Sequence, residues 1–119
     1  MKLVVSLIGT LVFGIVITGQ ERRELPWDKS NGNVGQALYR DNCVVCHDIT
    51  REESSKIGPS FYRAFQKEEM PASNTVPSRD YFSVLIRFGR PPMPAFRNEL
   101  TAGELNTLID YIEQTTRAQ

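Results

Sequence analysis

The chain has 119 residues, with 14 Lys or Arg and 14 Asp or Glu, so its formal net charge at pH 7 is zero. That length suits one domain. There is no basic stripe and no run of like charge, which argues against nucleic acid as a partner, and the two cysteines allow at most one disulfide.

After Met1-Lys2 the run "LVVSLIGTLVFGIVITG", residues 3–19, carries no charge. It is longer than a secretory h-region needs and short for a comfortable membrane span. Both readings send the rest of the chain outward, because Lys2 and the short N-terminus stay inside. No good small-x-small cleavage site follows, so an anchor held in the inner membrane is favoured over a cleaved signal peptide. Residues 20–32, which include Trp27, read as a linker.

The folded domain is expected at residues 33–117. Asn33 is placed to cap a helix through "VGQALYRDNCVVC", with Gln36 completing a capping box. Val34, Ala37 and Leu38 make one apolar side of it, and Gly35 and Tyr39 stand four apart on another. "GPSFYRAFQKEE" reads as a second helix capped at Ser60, and "MPASNTVP", residues 70–77, as loop. Ser78 caps "RDYFSVLIRF", whose apolar positions are Tyr81, Phe82, Leu85 and Phe88, and Gly89 ends that helix. "RPPMPAF" cannot be helical. "TAGE" at 101–104 is a capping box, followed by Leu105, Leu108, Ile109 and Ile112 at helical spacing. No strand pattern and no repeat is present. The expected fold is all-α: a small helical domain with irregular loops, preceded by an N-terminal hydrophobic helix.

The chemistry lies in "CVVCH": Cys43, Cys46 and His47. At positions i, i+3 and i+4 of a helical turn, two thiols and one imidazole converge. C-x-x-C-H is the attachment signature of c-type haem: the thiols add to the two vinyl groups and the histidine places its imidazole on the iron. A C-x-x-C disulfide would suit a thioredoxin-like chain, but no βαβ pattern is present. Zinc needs four ligands, and beyond these three only carboxylates remain.

His47 is the only histidine, so a bis-histidine pair within the chain is excluded. The opposite side of the iron is left to methionine, water or an open position. Met70 in "EEMPAS" and Met93 in "PPMPAF" are the choices apart from Met1. A thioether is a weak neutral ligand and holds iron only when little ordering is needed to place it. Proline fixes φ in advance. Met93 has proline on both sides and is therefore the expected ligand, whereas Met70 follows two glutamates and opens a polar loop.

The chain resembles class I cytochromes c over most of residues 33–113. The resemblance rests on "GQALYRDNCVVCH", "GPSF", "PPMPAF" and "LIDYIE", in that order. It implies a cytochrome c-like helical domain around one covalently bound haem c. Gly35 and Tyr39 match the positions where the first helix crosses the last, with Leu108 and Tyr111 opposite. Pro59 matches the proline whose carbonyl accepts the proton on the ligand histidine's other nitrogen. Phe61 and Phe96 match apolar positions against the haem. The lysine ring of the mitochondrial carriers is missing. Arg87, Arg90 and Arg97 flank the Met93 loop instead, as candidates for a docking patch or for pairing with haem propionates.

The function this implies is one-electron transfer between a protein donor and a protein acceptor on the periplasmic side, with residues 3–19 as the tether. Such a chain is an electron carrier rather than an enzyme. The alternative is a permanent haem subunit of a larger respiratory, photosynthetic or dehydrogenase complex. A catalytic or sensory role would need Met93 off the iron, and no second histidine or acid–base pair supports it.

Overall fold

The computed structural model describes residues 31–70 and 73–119; the 1–19 segment, Trp27 and most of the 20–32 linker lie outside them. Three α-helices follow in chain order: α1, Asn31–Asn42; α2, Arg79–Phe88; and α3, Ala102–Arg117. No strand occurs among the described residues. Nor is any of their helices long and apolar enough to cross a membrane.

The two C-terminal helices form where local signals are strongest. Ser78 Oγ accepts a hydrogen bond from the Tyr81 amide at the start of α2. Gly89 ends that helix with φ of +68° while its amide donates to the Leu85 carbonyl. At the start of α3 the capping box closes both ways, Thr101 Oγ1 accepting from the Glu104 amide and Glu104 accepting from the Thr101 amide. Such caps satisfy amides that the first turn leaves without partners. Leu105, Leu108, Ile109 and Ile112 are all buried along one side of α3.

Helix α1 lies across α3 at Gly35. A Cβ added there would sit 2.5 Å from Tyr111 Cβ and 2.9 Å from the Thr107 carbonyl, so only glycine allows this approach. One turn on, the rings of Tyr39 and Tyr111 meet with centroids 5.8 Å apart. From Tyr39 the aromatic core continues through Phe61 and Phe82 to Phe65, which stacks on Phe82 at 4.8 Å. Arg79 ties α2 to α3 from outside, pairing with Asp110 and Glu113, and Arg117 reaches Glu113 as well.

Four expectations need correction. Asn33 lies inside α1, which begins at Asn31, so it is not the cap. The helix also stops at Asn42, before the cysteines. The second predicted helix shrinks to a 3₁₀ turn, Ala64–Gln66. Arg63 stands before it at φ 51°, outside helical space, and the bonds Ala64 N–H to Phe61 O and Gln66 N–H to Arg63 O span three residues rather than four. Val34 and Phe88 are exposed rather than core. The face of α1 that meets α3 carries Gly35 and Tyr39, which turns Val34 outward. On α2 the buried pair is Phe82 and Ile86, and Phe88, two positions further round, lies under the Arg87 guanidinium.

Candidate haem site

Cys43, Cys46 and His47 converge although α1 has ended. The turn continues by hydrogen bonds alone, from the Cys46 and His47 amides to the Cys43 carbonyl at 3.0 and 2.9 Å. Cys43 is buried and Cys46 partly so, and both are free thiols. Burial, reinforced by neighbouring Cys46, pushes the Cys43 thiol up to about 12.

His47 is 7% exposed. Its Nδ1 lies 2.8 Å from the Pro59 carbonyl, a bond that requires the proton on Nδ1 and leaves Nε2 as the ring's lone-pair nitrogen. Burial lowers the pKa of the imidazole, the Pro59 bond opposes this, and the charge on Lys56 lowers it further. The neutral ring that results is the form a metal accepts. Phe61 stacks on it, centroids 4.4 Å apart and planes 15° apart. Gly58 packs directly beneath: a Cβ there would lie 2.6 Å from His47 Nδ1 and 2.7 Å from the Cys46 carbonyl.

Across from this turn, residues 90–93 form a tight turn of their own. The Arg90 amide donates to the Met93 carbonyl at 3.1 Å and the Met93 amide to the Arg90 carbonyl at 2.6 Å, with a cis bond between Pro91 and Pro92. Two further bonds fasten the loop to α2, Phe96 N–H to Ile86 O and Arg97 N–H to Arg87 O. Gly89 makes room for the return, since a Cβ there would lie 2.7 Å from the Met93 carbonyl.

Between the two turns is a cavity of about 400 Å³. Its walls include Cys43, Cys46, His47, Pro59, Phe61, Met93 and Phe96, which are all the residues named from the sequence as candidates. Met70 also lines it and is only 4% exposed, where the sequence suggested a polar loop. Met93 is half-buried beside the core. Of the three arginines, Arg90 borders the cavity, and Arg87 and Arg97 are exposed.

Sequence reasoning missed several parts of this site. Tyr39 Oη donates to the His47 carbonyl at 2.8 Å, and Lys56 Nζ reaches the same carbonyl at 3.1 Å. The Gly-Pro pair in "IGPS" was a readable signal for Gly58; Lys56 left none.

The residues present fit a haem. The cavity wall is mostly apolar, two thiols stand a turn apart on one side, and a neutral imidazole and two thioethers face the same space. Zinc fits poorly: among the described residues no group of three or more His, Cys, Asp or Glu is placed to hold a metal ion. A helical domain with no strand, a C-x-x-C-H turn and an apolar cavity against it define a small c-type cytochrome. The chain belongs to the family described as cytochrome c oxidase, cbb3-type, subunit III, whose model matches residues 30–112. No curated protein and no solved structure matches it. It is accordingly a monohaem c-type cytochrome with one covalently bound haem, and its chemistry is haem-based electron transfer.

Proposed function

We propose that Cys43 and Cys46 would hold the haem by thioether bonds, with His47 Nε2 and Met93 sulfur as the protein ligands to its iron. The bound haem supplies one-electron chemistry, its iron alternating between Fe(III) and Fe(II). The chain's own residues hold the site still while the electron moves. Pro59 and Gly58 fix the imidazole, and the 90–93 turn keeps the thioether in place without a large ordering cost. Thioether ligation and an apolar pocket both favour the reduced state, so a relatively high potential is expected. If His47 and Met93 both bind the iron, the chain would leave no position there for a substrate, which supports a carrier over a catalyst.

The observation that carries this reading is the single cavity wall shared by the C-x-x-C-H turn and the doubly hydrogen-bonded Met93 turn. Met70 borders the same cavity but is already consumed by the core. Phe61 and Phe96 are assigned to packing against the macrocycle, and Arg87, Arg90 and Arg97 to the rim where protein partners or propionates meet the chain.

The domain works on the periplasmic side, tethered to the inner membrane by residues 3–19. A tether raises the effective concentration at membrane partners, so weak docking suffices. A second reading, a fixed haem subunit of a larger oxidase complex, is favoured by the family's own description. Detergent extraction separates them: a monomer supports the carrier, and co-purifying membrane subunits support the fixed subunit.

The attachment is tested by Cys43→Ala and Cys46→Ala. Each leaves one thioether and should weaken haem retention on a denaturing gel, and the double variant should retain none. Undiminished haem staining in the double variant would sink the assignment.

A further inference from the structure

The helix ends at Asn42, so the carbonyls of the C-x-x-C-H turn have no further helical turn to accept from. Segment 56–59 supplies the missing donors. Lys56 Nζ donates to the Val44 carbonyl at 2.5 Å and the His47 carbonyl at 3.1 Å. The Gly58 amide takes the Cys46 carbonyl at 2.8 Å. Two residues on from Lys56, Gly58 also allows the chain to pass against the His47 ring, and Pro59 then meets its Nδ1.

Lys56 is thus more than a surface cation. Its side chain is 29% exposed and pairs with Asp48, itself 20% exposed, at 3.0 Å. A cation gathering carbonyls beyond a helix C-terminus is favourable there. Partial burial also leaves its charge less screened than that of an exposed lysine.

We propose that Lys56 is a positioning and potential-setting residue for the haem ligand His47, with Asp48 as its opposing charge. The proposal rests on the reading of His47 as the proximal ligand. Lys56 acts in two ways. Its hydrogen bonds hold the backbone of the ligand turn, and its positive charge beside the ligand disfavours the more positive oxidised iron. Asp48 moderates the second effect and orients the ammonium for the first.

The test uses Lys56→Gln, Lys56→Arg and Asp48→Asn in the haem-loaded protein, read by reduction potential and by amide hydrogen exchange. Lys56→Gln should lower the potential and speed exchange at the Cys46, His47 and Gly58 amides. Lys56→Arg should restore much of the potential. Asp48→Asn should raise the potential, and it keeps the proposal testable if Lys56→Gln fails to mature. The opposite signs are the discriminating feature. If the pair were only a structural brace, both variants would break the same contact and move the potential in one direction. Shifts of the same sign, or none, overturn the proposal. A haem-loaded His47→Ala variant that keeps the native low-spin spectrum would instead overturn the ligand reading beneath it.

Discussion

Replacing Met93 by alanine is expected to convert low-spin iron to largely high-spin iron, lower the reduction potential and open the reduced protein to carbon monoxide. As the proposed ligand, this sulfur would bind weakly and would depend on the 90–93 turn to be in place. Removing it leaves that turn intact, because the turn is closed by backbone bonds between Arg90 and Met93. The loss should therefore be spectroscopic before it is structural. Met70→Ala should behave in the reverse manner. Met70 is a buried core side chain, and truncating such a methionine costs about 2–5 kcal/mol, yet the low-spin spectrum should persist in the protein that remains folded. Absorbance and magnetic circular dichroism of the two variants, with chemical denaturation alongside, separate the roles. A high-spin Met70→Ala with a low-spin Met93→Ala would exchange the two assignments.

Gly58→Ala should be the most damaging single methyl addition at the site. The new carbon would meet the His47 ring and the Cys46 carbonyl at distances that real Cβ atoms do not show. Neither neighbour can give way freely, since the ring is held by Pro59 and stacked on Phe61 and the carbonyl is held by Gly58 itself. Overpacking of this kind costs about 1–3 kcal/mol. Part of that strain should appear as a weakened Nδ1–Pro59 bond, hence a less basic imidazole and a changed potential. Denaturant midpoints and potentials of the holoprotein check this together, and native values for both would show that the ligand turn is looser than described.

The legible and illegible parts of the chain differ in how local their causes are. Ser78, Gly89 and the Thr101–Glu104 box act within a few residues, so α2 and α3 could be read almost as they stand. The convergence of Cys43, Cys46 and His47 could be read because their spacing alone sets it. The prolines around Met93 announced a stiff loop, though not the Arg90 bonds or the ties to α2. Residues 58–70 differ from the sequence expectation, and 48–57 offer none, for the opposite reason. Their course is set by distant partners: Ser60 Oγ donates to the Arg51 carbonyl, Gln66 Nε2 to the Thr116 carbonyl, and Lys56 to the turn before it. No periodicity records such contacts. Apolar spacing around Phe61 and Phe65 suggested a helix, whereas these rings reach the core from a 3₁₀ turn and its approach. Met70 looked exposed because its sequence neighbours are polar. The fold nevertheless brings it to the cavity beside α2.

The central claim is that this chain carries one haem fixed covalently through the Cys43–His47 turn. An intact mass of the purified full chain under denaturing conditions tests it most directly, with peptide mapping of the modified segment. The account predicts the chain mass plus one haem, borne by the peptide containing Cys43 and Cys46. A bare chain mass, with the haem lost on denaturation, would contradict it.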